Sequence, residues 1–136
     1  MSFEHTSRIR VRYGETDQMG YVYYGVYALY YEVGRVEALR SLGILYAELE
    51  KTHHVLMPVM NMQVRYLRPA RYDDELIVQT SITSLPERDI KFRYEIRNST
   101  GDLLNNATVQ LCFLDAQTQK RIDAPNVVLE ALKAYF

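Results

Sequence analysis

The sequence has little of several features that mark common classes of protein. It contains no tryptophan and one cysteine, Cys112. A single cysteine excludes a disulfide within the chain and fits a reducing compartment, so we expect a cytoplasmic protein. No apolar run is long enough to cross a bilayer, and the first twelve residues do not resemble a secretory signal. We therefore expect no membrane span and no signal peptide.

Excess charge of either sign is also absent. Lysine and arginine number 16 and aspartate and glutamate 17, for a formal net charge of −1 at pH 7. Without a strongly basic surface we expect no nucleic-acid partner. The three histidines, His5, His53 and His54, are not grouped with other ligand-type residues, so we expect no metal ion. The sequence also has no glycine-rich phosphate-binding loop, and we expect no cofactor.

Tyrosine, by contrast, is abundant, with 12 copies in 136 residues. Tyrosines in this number suit partly wet pockets and subunit interfaces better than a dry core. The length is that of one domain with a sizeable core. We expect a single domain over residues 1–136.

Five segments alternate apolar and polar residues, which is typical of strands with one buried face. The predicted strands cover residues 7–13, 55–67, 75–85, 90–97 and 103–114. Short turns join the last four, which predicts an antiparallel sheet. In the first strand, Tyr13 is expected on the buried face. In the second, Pro58 favours an edge or a bulge, and Met60, Met62, Val64 and Tyr66 are expected on one face.

Three further segments, 22–40, 44–51 and 125–136, read as helices. The first is apolar almost all round, which is normally the mark of a buried helix, and its small residues Gly34 and Ala38 would let a sheet approach closely. We expect an α+β fold in which a five-stranded antiparallel sheet wraps around this long central helix. Five strands cannot cover such a helix on every side, so we expect a homo-oligomer, either a dimer or a dimer of dimers.

Residues 13–25 bring together Asp17, Gly20, Gly25 and the start of a helix. Asp17 lies in a tight polar turn, and Gly20 and Gly25 let the backbone come close to a ligand. The free N–H groups and the positive dipole end of a helix start favour negative charge. Such a pair suits attack on a carbonyl, because one group delivers the nucleophile and the other holds the developing oxyanion. An ordinary Asx turn before a core helix would also explain Asp17.

The run Glu-Thr-Asp-Gln-Met-Gly-Tyr-Val-Tyr-Tyr-Gly at residues 15–25 resembles the signature of the hotdog-fold acyl-CoA thioesterases, in their 4-hydroxybenzoyl-CoA thioesterase-like subgroup. The residues that continue this resemblance are Tyr27, Tyr31, Glu32, Gly34 and Arg35. Residues 66–70 with 73–76 are similar to a second recognisable stretch of the family. The likeness covers most of the chain, from residue 6 to residue 120.

The resemblance implies hydrolysis of a small or medium acyl-CoA substrate to a free acid and CoA. It makes Asp17 the nucleophile or general base, and it makes the amides of Tyr24 and Gly25 the donors that polarise the thioester carbonyl. The expected substrate contacts are Gly20, Val22, Tyr23, Val59, Met60 and Asn61. We expect the last three to come from a neighbouring copy of the chain.

Two positions depart from the family pattern. Tyr24 stands where many relatives carry histidine, and Val26 where most carry asparagine. Two alternatives stay open beside a thioesterase: a non-catalytic acyl-CoA-binding hotdog module, and a hotdog dehydratase. A dehydratase would want a histidine paired with the carboxylate, and none is near Asp17 in the sequence. The presence of Asp17 argues against a module that only binds.

Overall fold

The computed structural model describes residues 1–136, and its main feature is an antiparallel sheet of five long strands. The seven strands are β1 (Phe3–Arg10), β2 (Val55–Leu56), β3 (Val59–Tyr66), β4 (Glu75–Ile82), β5 (Asp89–Arg97), β6 (Leu103–Asp115) and β7 (Arg121–Ile122). The long strands lie in the order β1, β4, β5, β6, β3. The two short strands, β2 and β7, pair with the end of β6. The predicted five-stranded antiparallel sheet is confirmed.

Three α-helices accompany the sheet: α1 (Tyr27–Ser41), α2 (Tyr46–Lys51) and α3 (Asn126–Leu132). One 3-10 turn, Tyr24–Val26, leads directly into α1, and others lie at Tyr13–Glu15 and Lys133–Tyr135. The long helix α1 packs against β1, β4 and β5. No helix combines the length and the apolar character that a membrane span needs.

One face of α1 is buried and the opposite face is not. Tyr31, Ala38 and Leu39 are fully buried against the sheet, as the sequence predicted for this helix. Leu29 and Val33, however, are 55% and 40% exposed. A single copy of the chain therefore leaves one flank of α1 uncovered, because the sheet reaches only one face of the helix.

The first strand differs from its prediction at both ends. It begins at Phe3, which is buried, and it leaves the sheet after Arg10. Val11 then donates its amide to Asp74 O at 2.9 Å, and a 3-10 turn begins at Tyr13. The expectation that Tyr13 lies on the buried face is wrong, since it is 78% exposed. Alternation of residue types does not reveal where a strand turns away from its neighbour.

The predicted strand 55–67 is interrupted at Pro58 and forms β2 and β3. β3 pairs with β6 alone, so its other edge is free. Its ladder matches Val59 with Leu111 and then Asn61 with Gln110, which leaves Met60 as an extra residue in a bulge. The edge and the bulge agree with the expectation from Pro58. The ladder is regular from Asn61 onward, which keeps Met62, Val64 and Tyr66 on one face as expected. That face is not buried in a single copy, because only Val64 is partly covered.

Candidate active site

Main-chain hydrogen bonds close the segment between β1 and α1 on itself. The amide of Asp17 donates to Tyr21 O at 2.8 Å, and the amide of Gly20 donates to Asp17 O at 3.0 Å. Thr16 and Val22 form an antiparallel bridge just outside this turn. Gly20 has a φ of 79°, a left-handed conformation that glycine adopts without strain. The turn therefore holds Asp17 in one place relative to the residues that precede α1.

The two carboxylate oxygens of Asp17 have different surroundings. Oδ1 accepts the amides of Met19 at 2.9 Å and Tyr21 at 3.2 Å. This is the Asx turn that the sequence left open as the plain explanation of Asp17. Oδ2 accepts no hydrogen bond from the chain, and Asp17 lines a cavity. One oxygen thus fixes the side chain while the other is available to a ligand.

The 3-10 turn before α1 presents free main-chain donors. Tyr24 and Gly25 are its first two residues, so their amides have no acceptor within the turn. No other carbonyl of the chain accepts them, whereas the next amide, that of Val26, donates to Tyr23 O at 2.9 Å. Free N–H groups at a helix start, together with its positive dipole end, favour a developing negative charge.

A cavity of about 290 Å³ lies between Asp17 and the helix start, and both Asp17 and Tyr24 line it. The remaining walls come from three places: Met19, Tyr21 and Val22 in the loop, Tyr27 on α1, and Tyr66, Leu67, Arg68 and Pro69 at the end of β3. Most of this lining is apolar. A carboxylate and the first residue of the helix start thus border one largely apolar space, and attack on a bound carbonyl group needs such a pair of groups.

The turn after β3 is held against the Asp17 loop and completes the cavity. Val22 donates its amide to Ala70 O at 2.8 Å, and Tyr21 bridges to Arg71. The Arg71 guanidinium lies 4.9 Å from the centroid of the Tyr21 ring, a cation–π distance. Arg68 adds a second positive charge on this side, with Asp102 as a distant partner at 3.5 Å. The rim formed by Arg68 and Arg71 is therefore basic.

Sequence reasoning missed the wall at residues 66–69 as part of the site. The sequence does carry a signal, because residues 66–70 belong to the second stretch that resembles the family. What the sequence did not reveal is that this stretch folds back on the loop of Asp17.

Three of the predicted site residues, Asp17, Val22 and Tyr24, line the cavity. Three others, Gly20, Tyr23 and Gly25, flank them in the chain without lining it.

The predicted contacts Val59, Met60 and Asn61 lie at the opposite end of β3 from Tyr66. Tyr66 lies seven residue steps along the strand from Val59, a distance of about 23 Å. The side chains of Val59 and Met60 are about half exposed. They do not border the cavity of their own chain, so their role as substrate contacts stays a prediction that requires a second copy.

Two of the tyrosines that line the cavity, Tyr27 and Tyr66, have raised pKa values. Burial raises the pKa of Tyr27, against a smaller opposing effect of a hydrogen bond to the backbone of Ala70. Burial and the neighbouring Tyr24 also raise the pKa of Tyr66. Both side chains therefore offer O–H groups to a ligand at neutral pH. No histidine borders the cavity, and nowhere do three or more His, Cys, Asp or Glu side chains form a group that could hold a metal ion.

Comparison with known proteins places this geometry in a family. The sequence model of the thioesterase-like superfamily matches residues 11–132. The chain is 38% identical to the putative acyl-CoA thioesterase YneP of Bacillus subtilis, over 87% of this chain and 86% of that protein. It is 36% identical to the acyl-CoA thioester hydrolase YbgC of Escherichia coli, over 92% of each.

A solved structure agrees with the sequence relatives. The DHNA-CoA thioesterase of Staphylococcus aureus superposes with a TM-score of 0.84 at 31% identity, covering 98% of this chain and 83% of that one. The hotdog fold that the sequence predicted is confirmed. Asp17 and the helix start at Tyr24 border one cavity on this fold, and the family model and the relatives lead to one conclusion: the chain belongs to the thioesterase-like superfamily.

Proposed function

We propose that Asp17 and the helix start at Tyr24 and Gly25 carry out the hydrolysis of an acyl-CoA thioester by this enzyme, with a free acid and CoA as products. The observation that carries the proposal is the shared cavity, because Asp17 and Tyr24 both line it. The relatives support the substrate class, since YbgC is named an acyl-CoA thioester hydrolase and the Staphylococcus aureus protein a DHNA-CoA thioesterase.

The chemistry follows from the two free groups. The thioester oxygen accepts the amides of Tyr24 and Gly25, which polarises the carbonyl and stabilises the tetrahedral oxyanion. Asp17 Oδ2 then takes part in one of two ways. It attacks directly to form a mixed anhydride that water hydrolyses, or it accepts a proton from a water molecule that attacks. Either route consumes one water and breaks the C–S bond. The leaving thiolate is stable enough that no strong general acid is required.

The walls of the cavity favour a small or medium acyl group. Tyr27, Tyr66 and Leu67 offer apolar surface with two neutral hydroxyl groups. The basic rim of Arg68 and Arg71 lies on the same side of the cavity, where guanidinium groups suit the phosphates of CoA.

The assembly that fits the chain is a homodimer built on β3. This strand has a free edge, and Val59, Met62 and Tyr66 on it are each about half exposed. Exposed apolar edge strands pair readily with another chain. Two copies of β3 paired antiparallel about a two-fold axis would place the Val59 end of one copy beside the Tyr66 end of the other. Because Tyr66 lines the cavity, Val59, Met60 and Asn61 would then reach the neighbouring site.

The same dimer, or a dimer of dimers, would cover apolar surface that a single copy leaves open on α1 at Leu29 and Val33. A cytoplasmic location and the absence of a nucleic-acid partner stay predictions from composition.

The proposal is tested with a panel of acyl-CoAs and a thiol reagent that reports free CoA. Asp17→Asn keeps the size of the side chain and removes its charge and nucleophilic oxygen. We expect kcat to fall at least about a hundredfold, the low end of what one acid–base group contributes, with little change in KM. Asp123→Asn, which changes an exposed carboxylate paired with Arg88, is the matched control. A variant Asp17→Asn with near wild-type turnover would leave Asp17 with only its role in the turn.

A non-catalytic binding module makes a different prediction in the same assay. It would bind acyl-CoA without releasing CoA from any member of the panel, and Asp17→Asn would then have nothing to abolish.

A further inference from the structure

Glu15, two residues before Asp17, is the most completely hydrogen-bonded carboxylate of the loop. Its Oε1 accepts the amide of Arg12 and the hydroxyl of Tyr30, both at 2.8 Å. Its Oε2 accepts the Arg12 guanidinium at 2.8 and 3.1 Å. The side chain is only 11% exposed and does not border the cavity. With both oxygens occupied, Glu15 has no free group to offer a substrate, in contrast to Asp17.

The main chain of Glu15 connects the Asp17 loop to the residue that precedes the helix start. Its carbonyl accepts the amide of Tyr23 at 2.9 Å, and Tyr23 is the residue before the free amides of Tyr24 and Gly25. Its side chain reaches α1 through Tyr30, which is 2% exposed. Arg12, the other partner of the Glu15 side chain, does not connect Glu15 to α1, because it belongs to the same loop and its side chain is 79% exposed. Tyr30 is therefore the residue that connects the Glu15 side chain to the helix.

Glu15 is charged in this arrangement. Partial burial raises the pKa of Glu15, but hydrogen bonds from the side chain and backbone of Arg12 and from Tyr30 outweigh it and hold the pKa below its usual value. Burial and the hydrogen bond to Glu15 raise the pKa of Tyr30, which stays a donor. The contact is thus a charge-assisted O–H···O⁻ bond, stronger than a neutral one.

We propose that Glu15, held by Tyr30, is a positioning residue that fixes the Asp17 carboxylate relative to the amides of Tyr24 and Gly25. This inference rests on the proposed roles of those three residues. Catalytic groups must be held close to their productive geometry, and a displacement of about 1 Å can lower the rate about a hundredfold. Asp17 stays bonded to Tyr21 within the turn, but the bond between Glu15 and Tyr30 is the one side-chain hydrogen bond that ties this turn to α1. Its loss would let the turn shift as a unit relative to the helix.

The alternative is that the bond between Tyr30 and Glu15 only gives the buried Tyr30 hydroxyl an acceptor and has no effect on the position of Asp17. Tyr31 supplies the matched control for this alternative. It lies next to Tyr30 on α1, is fully buried, and donates its hydroxyl to Asn105 Oδ1 at 2.6 Å on β6. Removal of the Tyr31 hydroxyl also breaks a buried tyrosine hydrogen bond, in this case to a neutral acceptor, without touching the loop.

The experiment compares Tyr30→Phe with Tyr31→Phe. For Tyr30→Phe we expect kcat to fall about tenfold to a hundredfold with little change in KM, as displacement of catalytic groups predicts. We also expect faster amide hydrogen exchange in residues 16–26. For Tyr31→Phe we expect a lowered Tm with kcat and exchange in residues 16–26 close to wild type. A wild-type kcat for Tyr30→Phe, or an equal loss in both variants, would overturn the inference.

A second pair of variants covers a failure of Tyr30→Phe to fold. Glu15→Gln keeps an acceptor for the Tyr30 hydroxyl and Glu15→Ala does not, so Glu15→Gln should retain more of kcat. Equal kcat for the two also contradicts the inference. Failure of the proposed function is a separate result: Asp17→Asn would then keep wild-type turnover, whereas failure of the inference alone leaves Asp17→Asn inactive and Tyr30→Phe active.

Discussion

A Cβ atom added at Gly34 would lie 2.5 Å from Oγ1 of Thr80. Real side chains do not approach so closely, so the absence of a side chain at Gly34 sets how near α1 comes to β4. Thr80 Oγ1 is buried and has no hydrogen-bond partner in the chain. The contact between Gly34 and Thr80 is therefore van der Waals packing without a hydrogen bond. It sets the distance between the sheet and α1, the helix whose start borders the cavity.

We expect Gly34→Ala to lower the free energy of unfolding by about 1–2 kcal/mol, in spite of a gain of about 1 kcal/mol from the better helix propensity of alanine. The added methyl group would also meet Val78 Cγ1 at 3.1 Å and the Tyr94 ring at 3.2 Å, so the helix must move away from the sheet. Urea denaturation of the variant and the wild type measures the change.

Two second-site variants identify the cause of that loss. Thr80→Ala removes the closest atom and should restore part of the stability of Gly34→Ala. Thr80→Val keeps an atom in the same place and should not. Equal rescue by both would show that packing at Oγ1 is not the reason.

Gly25→Pro tests the helix start as an oxyanion site. Proline removes one free N–H, and loss of one oxyanion donor lowers kcat about a hundred- to a thousandfold. Proline is otherwise tolerated in the first turn of a helix, because the N–H it lacks has no partner there. Steady-state kinetics with the best acyl-CoA of the panel gives kcat and KM for the variant.

Gly25→Ala is the control for that experiment, since it keeps the N–H. Its Cβ would meet the Tyr23 ring at 2.8 Å, but that ring is 47% exposed and free to turn away. Tyr24→Phe should also keep most activity, because only the main chain of Tyr24 donates in the proposed mechanism. If Gly25→Ala lost as much activity as Gly25→Pro, the role of the amide would be refuted.

Met62→Lys tests the dimer through β3. Met62 lies near the centre of β3 and is 45% exposed, so a two-fold axis through the strand would bring the two introduced charges close together. We expect analytical ultracentrifugation to show a shift from dimer to monomer, with loss of activity because each site would need the neighbouring Val59 end.

The other edge of the sheet supplies the matched variant. Thr6 is exposed on β1, which pairs with β4 alone. Thr6→Lys should leave the oligomeric state and activity unchanged. A fully active wild-type monomer would rule out a site shared between two chains.

The stabilising effect of Glu15 should depend on pH. Because its folded-state pKa lies below the usual value of 4.5, the ionised side chain contributes stability that is fully present above that pH and is lost as the pH falls through the folded-state pKa. The difference in unfolding free energy between the wild type and Glu15→Gln should be constant near neutral pH and should shrink below about pH 4.5. Denaturation curves between pH 3 and pH 7 provide the measurement, and a difference that grows in acid would contradict the assignment.

The sequence predicted the central strands well because their environment repeats regularly. β5 alternates buried Phe92, Tyr94 and Ile96 with partly exposed residues, and a strand with one buried face carries this period of two. Its observed start differs by one residue from the prediction. The sequence predicted that the sheet leaves part of α1 uncovered. It did not predict that Leu29 and Val33 form this flank, because apolar residues there are equally compatible with contact to the same chain or to another one.

The sequence predicted only those parts of the candidate site that lie close together along the chain. Asp17 and the helix start lie within nine residues of one another, so one stretch of sequence contains both. Two other parts of the site depend on how the chain folds back. Tyr30 bonds to Glu15 from 15 residues further along the chain, and Tyr66 forms a wall of the cavity 49 residues after Asp17. No local pattern encodes such pairs.

The central position of β6 has a consequence for the synthesis of the protein. This strand separates β5 from β3 and also receives β2 and β7, yet it begins at Leu103, 37 residues after β3 ends at Tyr66. A ribosome that adds about 5–20 residues per second needs on the order of 2–7 s to cover that interval. Throughout that time β3 has no strand to pair with, and the cavity wall at Tyr66 is unsupported. The nascent chain must therefore keep the apolar residues of its earlier strands from aggregating until β6 has been translated.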